Sequence, residues 1–329
     1  MSEAAVTRRT LLAGAVGFAA ATCLRQAVLA GPAPGPATPG RGRWISRAAM
    51  PFPRTEISAC GLDGKVYVVG GYAHGRVDQP FIQAYDPTTD AWRDLAPMPR
   101  GLNHVGVVGS NGRVYSFGGF FEQNRNAVTD AFEYDARENR WRRIAPLRAK
   151  RGAISVVDVN GKLHLFGGRD EHSLPTHEVY DPTADSYTTR APLPDGRDHI
   201  GHVVFAGKIH AIGGRFNTFA NNTTVHNVYD PATDAWTYRA SMPTARSGMA
   251  GSVMAGRIFM IGGEETGRVH HENEVYDPAT DRWTIMQSMQ TPRHGTNAVT
   301  VASTIYVPGG GLTVGGAVPS AIHEAFQLT

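Results

Sequence analysis

The sequence predicts an all-β protein, a six-bladed β-propeller whose last blade is completed by the N-terminal strand. Three observations carry that prediction. A glycine pair recurs at Gly70-Gly71, Gly118-Gly119, Gly167-Gly168, Gly213-Gly214, Gly262-Gly263 and Gly309-Gly310, spaced by 48, 49, 46, 49 and 47 residues. Twenty-six residues before each pair stands an aromatic (Trp44, Trp92, Trp141, Tyr187, Trp236, Trp283), and 13 to 17 residues after its first glycine stands another (Tyr85, Tyr134, Tyr180, Tyr229, Tyr276, Phe326). Between these markers each unit holds four short apolar runs broken by turn signals, with no 3.6-residue rhythm sustained over three turns. A period of 40 to 50 residues built from short strands reads as propeller blades.

Residues 1–30 differ from the rest of the chain. Arg8-Arg9 precede a mild apolar stretch from Thr10 to Leu24, Arg25 follows it, and small residues surround Val28-Leu29-Ala30. The stretch is shorter than the roughly 20 apolar residues that cross a bilayer. It resembles a twin-arginine export signal cleaved after Ala30, which predicts a periplasmic or secreted protein. Residues 31–43, GPAPGPATPGRGR, read as a Pro/Gly linker, and residues 44–329 as the propeller. Without residues 1–30 the 32 basic and 29 acidic side chains become 29 and 28, because Arg8, Arg9, Arg25 and Glu3 are lost. A nearly neutral chain offers no broad basic field for nucleic acid or an anionic membrane, and a monomer is expected. Cys60 is then left as a lone thiol, placed as a small buried hydrophobe.

The sixth unit stops at Phe326 without a fourth strand, whereas Trp44 with ISRAAMP is a fourth strand without a unit. Joining them closes the ring and removes an open sheet edge. A phosphate-binding glycine loop needs a helix after it, and none follows any pair, so the glycines are structural. They are expected to let backbones crowd near the axis, as do the small residues Ser58, Gly106, Ser155, Gly201, Ala250 and Asn297. His164 and His210, which stand where other units have Tyr or Phe, read as core residues.

Alternating strand direction separates two faces. One carries tight turns such as Asp63-Gly64 and the DPTTD-type loops, whose Asp and Thr cap their own turns. The other carries long, dissimilar connections such as YAHGRVDQPF, RDEHSLPTH and GLTVGGAVPSA. Variable loops on a repetitive scaffold are where function concentrates. Comparison among the units sharpens this. Sixteen residues before the glycine pairs stand Arg54, Leu102, Arg151, Arg197, Arg246 and Arg293. Two roles are open for these arginines: pairing inside the blades, or an electropositive mouth for carboxylates, in which Arg151, Arg197 and Arg246 would bind ligand. Two residues further come Glu56, His104, Ala153, His199, Gly248 and Gly295, and directly after the pairs come Tyr72, Phe120, Arg169, Arg215, Glu264 and Gly311. These sets disagree from unit to unit and are expected to converge at one opening. Glu56, His104 and His199 are the candidate acid–base groups; Tyr72, Phe120, Arg169, Arg215 and Glu264 are the candidate binding groups.

The glycine pairs with their spaced Tyr and Trp resemble the kelch repeat, over Trp44 to Thr329. The resemblance implies a binding module that recognises a small or acidic ligand, or a protein segment, at the loop-rich face. Exported six-bladed kelch proteins include a sialic acid epimerase, so a sugar epimerase or mutarotase is the alternative, with Glu56, His104, His199 and Arg169 flanking the sugar. Galactose oxidase also has a kelch propeller, but its copper site uses a Tyr linked to Cys, and Cys60 is poorly placed for that. No cofactor or metal ligand set is predicted, with copper or another metal left open.

Overall fold

The structure is a computed structural model, described here for residues 1, 41–123 and 125–329. The expected export signal and most of the linker lie outside the described residues. Six four-stranded antiparallel sheets follow one another along the chain. Blade 1 consists of Ser58–Leu62, Lys65–Val69, Ile82–Asp86 and Ala91–Asp94, ordered from the axis outward. Blades 2 to 5 repeat this order. In blade 6 the strands Val299–Val301, Thr304–Pro308 and His323–Leu328 are completed by Gly42–Ser46, with Trp44 opposite Phe326. The N-terminal strand therefore closes the ring, as the unit count predicts.

The strands form because β-branched and aromatic residues alternate between blade-facing surfaces. In Lys65–Val69, residues Val66, Val68 and Val69 are fully buried, and every blade packs a core cluster against its neighbour. The marker aromatics are cross-strand partners, with ring centroids 5.2 Å apart for Tyr85–Trp92 and for Trp44–Phe326. They also tie blade to blade. Trp92 Nε1 donates to the Ala48 carbonyl just past the outer strand of blade 6, and Trp141 repeats the bond on Ala96. The DPTTD-type loops have two functions rather than the single one expected. Asp86 caps its own turn through the Thr88 amide, but Asp90 accepts from the Tyr85 hydroxyl and from the Ala48 amide of the preceding blade. Asp185, Asp234 and Asp281 repeat this staple.

The glycine pairs let backbones crowd, as expected, the first glycine against the next blade and the second against the segment that leads into its own inner strand. Gly71 (φ +84°) lies so close to Thr55 that a Cβ would meet its carbonyl oxygen at 2.5 Å, and Gly70 (φ +65°) would meet the Leu102 carbonyl of the next blade at 2.6 Å. Burial holds the Cys60 thiol at a pKa of about 12, in keeping with a packing role.

Candidate functional site

The residues Glu56, His104, Ala153, His199, Gly248 and Gly295 each lie just before an inner strand at the loop-bearing end. All six have positive φ, between 51° and 62°. For the four that carry a Cβ this costs on the order of 1 kcal/mol apiece, which their neighbours must enforce. Backbone bonds link them across blades: His104 N to Glu56 O at 3.1 Å, Ala153 N to His104 O at 2.9 Å, Gly248 N to His199 O at 3.0 Å and Gly295 N to Gly248 O at 2.9 Å. The inner ends of the blades thus form a neck around the axis. Six large side chains do not fit there. Glu56, His104 and His199 fill it, and the small residues of the other three blades make room; a Cβ on Gly295 would lie 2.7 Å from the Glu56 carboxyl carbon.

The polar contacts fix the proton positions. Asn103 Nδ2 donates to Asp78 Oδ1 at 2.6 Å and to the carbonyls of Phe120 and Glu122, so its Oδ1, 2.5 Å from His104 Nδ1, accepts and His104 Nδ1 carries hydrogen. His104 Nε2 then faces Glu56 Oε2 at 3.0 Å, within ion-pair reach but not aligned for a hydrogen bond. His199 Nδ1 is 2.5 Å from Asp198 Oδ1, and its Nε2 is 3.0 Å from Arg215 Nη2. A guanidinium only donates, so His199 Nε2 accepts and the ring is the neutral Nδ1–H tautomer. Burial, then the Arg215 charge, lowers the His199 pKa to about 4. Arg215 also binds Asp198 Oδ1 and Glu264 Oε1, both at 3.0 Å. His294 donates from Nε2 to the Thr313 carbonyl at 2.9 Å and turns Nδ1 toward Glu56 Oε1 at 3.5 Å and Glu264 Oε2 at 3.4 Å. Burial alone would raise the pKa of Glu56, but the neighbouring His104, His294 and His199 outweigh it and hold the carboxyl well below its usual range.

The long connection of blade 6 roofs this cluster. The Gly315 amide donates to Glu264 Oε2 at 2.8 Å, and the Gly315 carbonyl accepts from the Tyr72 hydroxyl at 3.3 Å, Gln123 Nε2 at 3.2 Å and Arg76 Nη2 at 3.4 Å. Burial and the Glu56 charge raise the Tyr72 pKa, so its hydroxyl stays a donor. A cavity of about 70 Å³ reaches from the neck residues Glu56, His104 and His199 down to Ser58, Ser155, His202 and Asn297; His202 and Asn297 also border the wider channel that continues between the inner strands.

Of the residues expected at one opening, Glu56, His104, His199, Tyr72, Phe120, Arg215 and Glu264 come together. Phe120 packs edge-on against the His104 ring at 5.5 Å. Arg169 is instead turned aside, bonded to the carbonyls of Asp170, Glu171 and Asn217. Arg151, Arg197 and Arg246 are not at the mouth. They are 1%, 0% and 0% exposed, and each donates to the carbonyl of the first glycine of its pair, Gly167, Gly213 and Gly262. Arg151 and Arg246 also pair with Glu178 and Glu274. Their buried charges are spent on blade structure, so they leave the candidate set. Sequence reasoning missed Asn103, Asp198 and His294. Their signal was present one residue before the axial position, where Thr55, Asn103, Gly152, Asp198, Ser247 and His294 also disagree between blades.

Comparison with known proteins agrees with this architecture. Residues 103–310 match the family described as the KLHDC2/KLHL20/DRC7 Kelch-repeats domain, and residues 53–99 match the Kelch motif. The F-box/kelch-repeat protein SKIP30 of Arabidopsis thaliana is 38% identical over 50 residues, which cover 15% of this chain and 14% of that protein. The solved structure of YjhT superposes with a TM-score of 0.73 over 84% of this chain and 95% of that chain, at 14% identity, which establishes likeness of fold.

Proposed function

Since the chain belongs to the kelch-repeat family, whose propellers present a rigid ring with variable loops, we propose that it binds a small carboxylate-bearing ligand at the loop-rich end of the axis. One observation carries this reading. Tyr72, Arg76 and Gln123 aim three donors at a single oxygen, the Gly315 carbonyl, while Glu264 accepts from the same glycine. Three convergent donors, one of them cationic, suit a carboxylate better than a neutral carbonyl, and their lengths of 3.2 to 3.4 Å leave the neutral oxygen loosely held. The loop from Gly311 to Pro319 thus occupies the place of the ligand and must lift for it to enter. With the leader expected at residues 1–30, the ligand is met outside the cytoplasm, which N-terminal sequencing of the exported protein checks.

The grouping of Glu56, His104 and His199 beside that place favours a second reading, in which the bound ligand is a sugar acid and proton transfer isomerises it. A single experiment series addresses both. Titration of the protein with sugar acids and acidic peptides, followed by melting temperature, is expected to give a stabilising ligand whose affinity falls about 10- to 100-fold in Arg76→Ala and Gln123→Ala, the loss that follows removal of a charge-assisted hydrogen bond. A series with no stabilising carboxylate, or one indifferent to both substitutions, sinks the binding reading. Addition of pure α-anomer of N-acetylneuraminate, with mutarotation followed by NMR, then decides the isomerase reading; a rate equal to that in buffer removes it.

A further inference from the structure

We propose that Glu56, His104 and His199 form the binding site of a first-row divalent transition metal. The carboxylate oxygen and one nitrogen of each imidazole lie within 4.8 Å of one another, and each of the three residues is less than one-tenth exposed. This departs from the sequence, in which the three residues come from separate blades and show no chelating spacing.

Each ring is anchored on its far side. His104 donates its Nδ1 hydrogen to Asn103 and His199 donates its own to Asp198, in both cases an oxygen of the preceding residue at 2.5 Å. The two rings are therefore anchored by the same device, which leaves Nε2 as the free side of each: His104 Nε2 faces Glu56 Oε2 at 3.0 Å, and His199 Nε2 accepts from Arg215. A donor bond from the far nitrogen to a carboxylate or amide oxygen is the arrangement that orients metal-binding imidazoles and raises their basicity. His294 repeats it, with Nε2 anchored on the Thr313 carbonyl and Nδ1 toward Glu56 and Glu264. Among the described residues the near nitrogens of His104 and His294 have no hydrogen-bond partner, although both residues are more than nine-tenths buried. Glu56 Oε2 and His104 Nε2 at 3.0 Å need a positive charge between or upon them, which a proton on the ring or a bound metal ion supplies.

Charge accounting points to the same conclusion. The buried cluster contains three carboxylates, Glu56, Asp198 and Glu264, against one guanidinium, Arg215, a balance of −2 before any proton on the imidazoles is counted. One divalent ion neutralises it. Imidazole nitrogen with a single carboxylate selects zinc, iron, nickel or copper over magnesium or calcium, which take oxygen ligands. Arg215 now donates to His199 Nε2, but it retains two carboxylate partners, Asp198 and Glu264, when that nitrogen turns to a metal.

The test uses zinc and cobalt alone, without organic ligand. Chelator-treated full-length protein is titrated with Zn²⁺ and followed by melting temperature and elemental analysis, and with Co²⁺ followed by visible absorption. One equivalent bound per chain, a rise in melting temperature and a cobalt ligand-field band are expected. Glu56→Gln and His104→Ala should abolish the band, and the exposed control His271→Ala should keep it. If either ligand variant fails to fold, Asn103→Ala keeps all three ligands and is expected to weaken zinc about 10- to 100-fold by freeing the His104 ring. Absence of binding, or equal binding by Glu56→Gln, overturns the proposal and leaves protons to neutralise the cluster. The site is shared with the proposed ligand, but carboxylate binding is read separately, so failure of zinc alone leaves that reading standing.

Discussion

Two rings of buried polar residues encircle the loop-bearing end, two residues apart in sequence, and they behave in opposite ways. The outer ring, Arg54, Arg151, Arg197, Arg246 and Arg293, does the same thing in every blade that has it: the guanidinium binds the carbonyl of the first glycine of the pair. Four of these arginines also bond an acidic or amide side chain at one position of the third strand, Gln83, Glu178, Glu274 or Glu324. Where blade 2 substitutes Leu102, the third-strand position becomes Phe132, and both join an apolar core. The replacement is complete on both sides, so no orphan charge remains. The inner ring shares backbone conformation but not side chains, and its three ionisable members meet at one point. Repetition marks what the fold needs from every blade; disagreement at constant backbone geometry marks what a single site needs.

The outer ring is the place to break this comparison most severely. Arg246→Ala leaves Glu274 buried without its partner and is expected to cost about 3–5 kcal/mol, read from denaturant unfolding. Leu102→Arg alone should be comparably destabilising, because it buries an unpaired charge against Phe132, whereas Leu102→Arg with Phe132→Glu should recover most of the loss. A double variant no more stable than Leu102→Arg would show that the arginine and its third-strand partner are not a transferable unit.

Histidines repeat the contrast. His177, His226 and His323 occupy one third-strand position in blades 3, 4 and 6 and pack edge-on against Tyr229, Tyr276 and Tyr85 of the next blade. Burial lowers their pKa values to about 3, about 4 and about 4. A lowered folded value means that the unfolded chain binds more protons below its own histidine pKa of about 6.5. Their contribution is therefore fully present above about pH 6.5 and is lost as the pH falls toward 4. For His226 the loss amounts to about 3 kcal/mol. Blade 5 has Asn273 at this position, donating to the Gln287 carbonyl as His226 does to Ala240. His226→Asn should thus fold and lose stability less steeply between pH 6.5 and 4. An unchanged slope would place the acid sensitivity elsewhere.

The fold was legible because its signals are local and repeated: glycine pairs, spaced aromatics, turn chemistry and an unpaired strand at each end of the propeller. Half of the site was legible for the same reason, since misfits such as Glu56, His104, Arg215 and Glu264 stand out against a period. What was hidden was direction. A sequence does not say whether a guanidinium points to the axis or into its own blade, so Arg151, Arg197 and Arg246 looked the same as Arg215. Nor does it show that Asn103 and Asp198, one residue from the axial histidines, hold those rings, or that a loop far along the chain would place Gly315 over them.

That loop gives the smallest expected effect and the finest test of the inner ring. Gly315 has φ +73°, and a Cβ built there meets nothing within 4 Å, so Gly315→Ala is penalised by backbone conformation rather than by contact. The cost is about 1 kcal/mol and falls on the closed loop alone, because the lifted loop is free to choose another φ. Global unfolding should shift by no more than that. If the loop competes with the ligand for Tyr72, Arg76, Gln123 and Glu264, weakening its closed form releases those groups, and a carboxylate ligand should bind about fivefold more tightly. If the loop instead belongs to the bound state, the same penalty falls on the complex and affinity drops by a similar factor. The sign of the change therefore separates a loop that stands in for the ligand from one that closes over it.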